Sequence, residues 1–354
     1  MSDLDFCRES LRAVSRTFSR PIELLPPDLE VAVTCGYLLC RVVDTIEDQP
    51  AEALTQQDRD QLYAAFLRTL DAPADEALAL ALAEGFARLP GADADLALGR
   101  GVERVLRVFA GLPAETRARC APWIAEMARG MALYGRRPAG PSGVVSLEST
   151  TDLDRYCYFV AGTVGRMLTG LFCEALAPLP DDRRRALERE AEEFGVALQL
   201  VNVLKDVAED RARGWSFVPR DVCEAAGVPV AELCDPARRR AAHAALSPVF
   251  DRAERALDAA LRYCLALPEQ ARELRLFCLV PLWLAVRTMV LARGNDDMFE
   301  VGRPVKITRP EVERLIADCV ERAGDDSLLL SGYSALWTSA PARRPRPSAR
   351  RASA

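Results

Sequence analysis

The chain has 354 residues, of which 50% are hydrophobic and 28% charged, and its mean hydropathy is close to zero. This composition is typical of a globular protein whose core is large enough to fold unaided. The chain has 46 basic and 52 acidic residues, so its net charge is −6, which argues against a broad basic surface. We therefore expect no nucleic-acid partner.

Histidine and cysteine usage excludes several classes of site. His243 is the one histidine, which excludes a histidine-centred triad and an HExxH zinc site. The eleven cysteines form no CxxC pair, and the first residues contain no signal peptide pattern, so we predict a reduced cytoplasmic protein. The most apolar stretch, 277–292, is shorter than the roughly 20 residues that span a bilayer. It is predicted to be a buried core helix, with no transmembrane helix in the chain.

Helical periodicity runs along almost the whole chain, and no segment alternates as a strand would. The pattern predicts an all-α protein with one domain over 1–335. The segment 336–354 is predicted to be a disordered basic tail, since 340–354 holds five arginines and no acid. The predicted helices lie near 28–49, 57–71, 95–110, 114–137, 151–176, 181–212, 236–266, 270–294 and 309–323.

Two short acidic runs lie on these predicted helices. Asp44 and Asp48 are four residues apart, and Asp206 and Asp210 repeat that spacing. On an α-helix this spacing places both carboxylates on one face, and Asn202 extends the second stripe by one turn. Like charges at this spacing weaken a helix, so each stripe favours an external cation.

Oxygen ligands without a histidine or thiolate suit Mg²⁺, which binds carboxylates, waters and phosphate oxygens. Two such stripes predict a polyphosphate between them, with Arg41, Lys205 and Arg213 as nearby cations. A single run of this kind is more often a solvated acidic face. Both runs, however, follow the apolar segments 35–40 and 198–204, and buried carboxylates without a cation are costly. The metal interpretation is therefore favoured.

Four blocks of sequence carry a family resemblance. The first two are Ser15-Arg16-Thr17-Phe18, similar to an early substrate-binding segment, and 37–48 (YLLCRVVDTIED), similar to a first aspartate-rich motif. The others are 156–165 (YCYFVAGTVG), similar to a central helix beside a prenyl cavity, and 199–210 (QLVNVLKDVAED), similar to a second aspartate-rich motif. In these blocks the chain resembles the squalene/phytoene synthase family, the head-to-head prenyl transferases.

The resemblance implies a single all-α domain, an isoprenoid-synthase-type helical bundle around a central cavity. It implies a Mg²⁺-dependent transferase that joins two farnesyl diphosphates through presqualene diphosphate. Tyr156 is the candidate weak base, because histidine is excluded. The implied metal-binding residues are Asp44, Asp48, Asn202, Asp206 and Asp210, of which the aspartates are also catalytic. The implied substrate-binding residues are Ser15, Arg16, Phe18, Tyr37, Arg41, Val160, Ala161, Gly165, Gln199, Asn202, Lys205 and Arg213.

Several of these residues have a structural alternative. Ala161 and Gly165 would leave room for prenyl chains, but small residues also allow close helix packing. Phe18 and Tyr37 would offer π-faces to a carbocation, but either could be a core aromatic.

Two later blocks favour a squalene synthase, most like the bacterial ones, over a phytoene synthase. They are 277–281 (FCLVP) and 305–309 (VKITR), and the second resembles the segment that squalene synthases associate with NADPH. Lys306 and Arg309 are therefore expected to bind NADPH. The alternative is a loop lysine before a helix that Thr308 caps.

Two positions depart from the family pattern. Lys205 stands where the family usually has arginine, and Trp215 stands where an arginine that grips the diphosphate is usual. Arg211 and Arg213 are the candidates to replace that arginine.

Other interpretations stay open from the sequence. A phytoene or dehydrosqualene synthase would use the same carboxylates without a reductant, and presqualene diphosphate could itself be the end product. A catalytically inactive helical scaffold is the alternative from another functional class. Peripheral contact with the inner membrane face, through an apolar rim or the basic tail, is also open.

Overall fold

The computed structural model of the chain describes residues 1–15, 17–50 and 52–339. These residues are mostly helical, so the predicted all-α class is confirmed. Within the described ranges the only sheet pairs two short parallel strands, β1 (Val145–Ser146) and β2 (Trp215–Ser216). The α-helices are α1 (Asp3–Val14), α2 (Ser19–Glu23), α3 (Pro27–Asp48), α4 (Gln56–Asp71), α5 (Glu76–Ala87), α6 (Ala94–Arg100), α7 (Val102–Ala110), α8 (Ala114–Gly135), α9 (Thr150–Cys157), α10 (Thr163–Ala175), α11 (Asp181–Lys205), α12 (Val207–Ala212), α13 (Arg220–Ala225), α14 (Arg239–Ala266), α15 (Arg272–Ala292), α16 (Arg309–Arg322) and α17 (Asp326–Thr338).

The core of the bundle is built around α11, which packs along α14 and also contacts α10 and α15. Leu187, Val196, Leu200 and Val203 are among its buried residues and recur at helical spacing. α3 packs against α7 and α8. The first acidic run lies at the C-terminal end of α3, and the second begins directly after α11. The packing of these helices therefore determines where the two runs meet.

Two predicted helices are interrupted beside the cavity described below, and a third, predicted over 95–110, is divided at Gly101 between α6 and α7. The helix predicted over 181–212 is divided at Asp206, which has φ −104° and ψ 15° between α11 and α12. The amide of Asp210 still donates to the Asp206 carbonyl at 2.9 Å. The helix predicted over 151–176 is divided by a π-helical segment, Tyr158–Gly162. π-helical turns are often found at functional sites, and the interruptions at Asp206 and at Tyr158–Gly162 border that cavity.

Five of the described helices are not among those predicted from the sequence. The missed helices are α1, α2, α5, α13 and α17, although the capping box of Ser2 and Asp5 could have indicated α1. α17 ends at Thr338, three residues past the predicted boundary at 335. Residues 340–354 lie outside the described residues, so the basic tail stays a prediction.

α15 contains the most apolar stretch of the chain. By length and composition it could cross a membrane, but 78% of its most apolar window is buried in the fold. It packs against α2, α11, α14, α16 and α17. Within it, Arg287 is buried and forms an ion pair with Glu311 (Nε to Oε1, 2.5 Å). This burial supports the predicted core helix.

Glycines allow α11 to approach α10 and the π-helical segment closely. A Cβ on Gly165 would clash with the Ala191 carbonyl oxygen, and a Cβ on Gly195 would clash with the Ala161 carbonyl oxygen. Ala161 and Gly165 are not among the residues that line the cavity described below. Both residues therefore lie where two helical segments pack closely, and their contact with a prenyl chain stays a prediction.

Gly165→Ala is expected to lower the free energy of unfolding by about 2–3 kcal/mol, the scale of overpacking, because the new methyl group meets backbone. Gly170→Ala, on the same helix, is the matched control, since its Cβ would lie 3.8 Å from the Arg119 Cβ. We expect the control to be neutral or stabilising by up to about 1 kcal/mol. Urea unfolding followed by circular dichroism measures both variants. Equal stability of the two would contradict the close approach of α10 and α11.

Candidate active site

The four predicted aspartates line one cavity of about 760 Å³. Asp44 and Asp48 reach it from the C-terminal end of α3, and Asp206 and Asp210 reach it from the junction of α11 and α12. The structure thus brings together two runs that are far apart in sequence. The other predicted residues that line this cavity are Arg41, Tyr156, Val160, Gln199, Asn202, Lys205 and Arg213.

Arg59 of α4 holds the end of α3 that carries the first acidic run. Its guanidinium donates to the backbone carbonyls of Ile46, Glu47 and Gln49, at 3.0 Å for Glu47 and 2.7 Å for Gln49. The last carbonyls of a helix have no donor within the helix, so Arg59 satisfies them and fixes the acidic turn. Arg59 is not identifiable from the sequence, because no local pattern shows which arginine will reach a distant helix end.

Arg213 joins the two acidic runs directly. Its Nη1 donates to Asp48 Oδ1 at 2.8 Å, and its Nη2 donates to Asp210 Oδ1 at 2.6 Å. Of the two candidates to replace the family arginine at Trp215, Arg213 therefore faces the carboxylates. The cavity lining does not include Arg211.

Carboxylates hold the other two predicted cations. Arg41 forms a bidentate ion pair with Asp95, with Nε–Oδ1 at 2.7 Å and Nη2–Oδ2 at 2.9 Å. Its Nη1 lies 3.6 Å from Asp44 Oδ2. Lys205 forms an ion pair with the adjacent Asp206. The guanidinium fork of Arg41 is thus occupied by Asp95, so Arg41 is not placed to grip a diphosphate bidentately.

The cavity holds more negative charge than these cations offset. Burial raises the pKa of Asp44 to about 7, although Arg41 opposes the shift. Burial also raises the pKa of Asp210 to about 6, against the hydrogen bond from Arg213. The pKa of Glu47, in the same turn as Asp44, is raised well above its usual value by burial and by the neighbouring aspartates. A bound cation would lower all three pKa values.

The donor groups fit Mg²⁺. They are carboxylate oxygens and the amide oxygen of Asn202, which are hard ligands of the kind Mg²⁺ prefers. In the part of the chain that the structure describes, no three His, Cys, Asp or Glu side chains are close enough to hold a metal by themselves. Mg²⁺ ordinarily retains waters and takes phosphate oxygens from a substrate, so one or two carboxylates per ion are sufficient.

One wall of the cavity is aromatic. Tyr156 is 3% exposed and stacks on Phe217 with ring centroids 4.5 Å apart, and Phe217 stacks on Trp215 at 5.6 Å. Tyr134 packs edge-on against Tyr156 at 5.2 Å. Burial raises the pKa of Tyr156 well above that of a free tyrosine, so the phenol stays protonated. Phe217 and Trp215 are wall residues that were not predicted from the sequence.

The early block of the sequence lies apart from this cavity. Phe18 packs on Tyr37 with ring centroids 5.8 Å apart and on Phe277 at 6.5 Å. Ser15 is buried, and its Oγ accepts a hydrogen bond from the Phe18 amide at 3.0 Å. None of these residues lines the cavity, and Arg16 lies outside the described residues. Phe18 and Tyr37 therefore form an aromatic cluster with Phe277 outside the lining of this cavity.

The residues predicted to bind NADPH also lie outside the cavity lining. Lys306 is exposed, and Arg309 is 90% exposed with its Nε 3.7 Å from Glu313. Thr308 is the N-cap residue of α16, but its side chain makes no capping hydrogen bond. The structure does not bring Lys306 and Arg309 to the carboxylates.

Replacing a partly buried carboxylate of the site, Asp44, should stabilise the metal-free protein. Because the pKa of Asp44 is raised from 3.8 to about 7 on folding, the unfolded chain holds fewer protons in this range. The free energy of unfolding therefore falls as the pH rises through it. We expect Asp44→Asn to raise this free energy by about 1–2 kcal/mol at pH 8 and by less at pH 5. The expected gain in the free energy of unfolding is smaller than the full pKa shift implies, because the Asp44 side chain is 31% exposed.

Asp71→Asn, at an exposed position that ends α4, is the matched control for Asp44→Asn. It should change the free energy of unfolding by less than about 0.5 kcal/mol at either pH. Chemical denaturation in the presence of EDTA provides both values. A gain for Asp44→Asn that is the same at pH 5 and pH 8 would contradict the raised pKa.

The chain is similar in sequence to relatives of known name. The squalene synthase of Schizosaccharomyces pombe is 28% identical over 317 residues, which are 89% of this chain and 64% of that protein. The 15-cis-phytoene synthase of Synechocystis is 28% identical over 305 residues, 84% of this chain and 77% of that protein. The chain thus spans less than two thirds of the length of the fungal relative.

The fold is shared with solved structures. The complex of TcSQS with the ligand BPH1237 has a TM-score of 0.77 at 25% identity, and the match covers 95% of this chain and 91% of that chain. This likeness confirms the expected isoprenoid-synthase-type helical bundle. The sequence model of the squalene/phytoene synthase family matches residues 11–311, which is most of the chain. The chain therefore belongs to the squalene/phytoene synthase family.

Proposed function

We propose that the chain is a squalene synthase, which joins two farnesyl diphosphates head to head through presqualene diphosphate and reduces the product with NADPH. Its family and the relatives named squalene synthase support the proposal. The observation that carries it is the meeting of both acidic runs at one cavity with an aromatic wall. Such a cavity suits a reaction in which a diphosphate leaves and a carbocation must be kept from water.

The two acidic runs, with Asn202, are the residues that would hold Mg²⁺. When bound there, Mg²⁺ would act as a Lewis acid on the departing diphosphate. Lys205 and Arg213 place positive charge at the same cavity and can donate hydrogen bonds to phosphate oxygens. Arg41, which Asp95 holds in place, favours the ionised form of the first acidic run.

The aromatic wall has two tasks in the proposal. Trp215, at one end of the stack on Phe217, presents a π-face that would stabilise a nearby carbocation by about 1–2 kcal/mol once water is excluded. Tyr156 is the proton-transfer residue for closure of the cyclopropane. Because its phenol is protonated, its oxygen accepts a proton while it passes its own to the released diphosphate.

A second candidate is a synthase of the same family that stops without reduction and releases phytoene, dehydrosqualene or presqualene diphosphate. The exposed positions of Lys306 and Arg309, away from the cavity lining, favour this candidate. Both candidates use the same carboxylates. They differ in whether NADPH is required, since NADPH would supply the reducing equivalents.

Incubation with farnesyl diphosphate and Mg²⁺, with and without NADPH, separates the candidates by mass spectrometry of the extracted lipids. We expect squalene only with NADPH, and we expect Lys306→Ala to raise the KM for NADPH about tenfold, the effect of losing one phosphate contact. Farnesyl diphosphate consumption should not change in this variant. A product that does not depend on NADPH would select the second candidate. No turnover of any prenyl diphosphate would favour an inactive scaffold.

Removal of one carboxylate from either run should reduce turnover strongly. We expect Asp44→Ala and Asp206→Ala each to lower kcat at least about 100-fold, the scale of losing one preorganised electrostatic contact. His243→Ala is the control, because His243 contacts Asp296 and Phe299 and lines no part of the cavity. Retained activity in both aspartate variants would remove the proposed metal role, and a large loss in the His243 variant would mean that the reaction takes place elsewhere.

The cytoplasmic location, the absence of a nucleic-acid partner and the peripheral membrane contact stay predictions from the sequence. Exposed apolar residues near the C-terminal end, Val320 on α16 with Leu328 and Leu330 on α17, support membrane contact in the proposal. The basic tail would follow these residues in the chain.

A further inference from the structure

Arg213 has an unusual place among the charged residues of the cavity. Among the ion pairs of the described residues, it is the only side chain that contacts carboxylates of both acidic runs, Asp48 at 2.8 Å and Asp210 at 2.6 Å. Its side chain is 52% exposed. The guanidinium therefore lies at the open side of the cavity, where a substrate would arrive.

The local backbone explains why this residue supplies the cation. Gly214, with φ +83°, turns the chain between Arg213 and Trp215. The Val145 amide donates to the Gly214 carbonyl at 2.9 Å, and β2 begins at Trp215. Trp215 stacks on Phe217 and is part of the aromatic wall. Arg213, which precedes the turn, contacts the carboxylates of Asp48 and Asp210 instead.

The geometry points to Arg213 as a displaceable counter-cation of the metal site, an inference that rests on the proposed function. Without metal, its guanidinium neutralises Asp48 and Asp210 and holds the two acidic runs together. When Mg²⁺ and a diphosphate bind, Arg213 releases these carboxylate oxygens and donates to the diphosphate. Arg213 is a positioning residue in the empty site and a diphosphate ligand in the occupied one.

Competition for the same oxygens is the physical basis of this exchange. A guanidinium and Mg²⁺ are both attracted to the carboxylates of Asp48 and Asp210, so each weakens the binding of the other. A diphosphate offers the guanidinium new oxygen acceptors that match its planar fork. Arg213 should therefore oppose metal binding in the absence of diphosphate and favour diphosphate binding in the presence of metal. A residue with only a structural role would not show opposite signs in the two measurements.

The test measures binding without turnover. Mn²⁺ serves as a paramagnetic substitute for Mg²⁺ and is titrated by EPR with no diphosphate present. Inorganic pyrophosphate binding at saturating Mg²⁺ is then measured by calorimetry. For Arg213→Gln we expect about tenfold tighter Mn²⁺ binding and about tenfold weaker pyrophosphate binding. Arg255→Gln, which removes an exposed charge on α14 outside the cavity, should change neither affinity.

Arg213→Lys is the second variant and keeps the charge. A single ammonium has no fork with which to bridge Asp48 and Asp210, so its Mn²⁺ affinity should lie between those of the wild type and Arg213→Gln. This variant also supplies the test if Arg213→Gln fails to fold.

Two negative outcomes are distinguishable. Unchanged or weaker Mn²⁺ binding in Arg213→Gln, in a protein that still binds pyrophosphate with Mg²⁺, would overturn the role of Arg213 alone. If the wild type and all variants bind neither Mn²⁺ nor pyrophosphate, the proposed function fails and this inference fails with it.

Discussion

The negative charge of the two acidic runs, which line one cavity, is the constraint that shapes the surrounding part of the bundle. Carboxylates repel one another, and burial makes their charged forms more costly. Cations from several elements relieve this cost: Arg59 of α4 caps the end of α3, Arg41 is held by Asp95 of α6, and Arg213, directly after α12, contacts both acidic runs. The relief is incomplete, since burial still raises the pKa of Asp44 to about 7. The remaining repulsion between carboxylates lowers the stability of the metal-free protein at the place where a bound metal would offset it.

The irregular parts of the fold serve the same cavity. The chain leaves helical geometry at Asp206, and it becomes π-helical at Tyr158–Gly162, which includes the wall residue Val160. The short β1–β2 pair fixes the backbone of Trp215, whose ring extends the stack of Phe217 and Tyr156. The acidic side and the aromatic wall of the cavity are thus connected by one short stretch after α12.

The sequence predicted those parts of the site that depend on local spacing. Aspartates four residues apart must share a helix face, and they lie in one cavity with Gln199 and Val160. It could not predict contacts that the tertiary fold creates. Arg59 reaches a helix end on another element, and the close approach of Gly165 to the Ala191 carbonyl oxygen depends on how α10 packs on α11. Lys306 is exposed and does not line the carboxylate cavity, so the NADPH contact inferred from its motif stays a prediction.

In the proposed function, the two acidic runs and Arg213 act as one site for Mg²⁺ and a diphosphate. A crystal structure with Mg²⁺ and farnesyl thiodiphosphate, which resists ionisation, would show whether they do. We expect metal density between the two runs, with the diphosphate of the analogue bound to the metal and to Arg213. An analogue bound elsewhere, or a structure in which Arg213 still bridges Asp48 and Asp210 with no metal between the runs, would contradict this expectation.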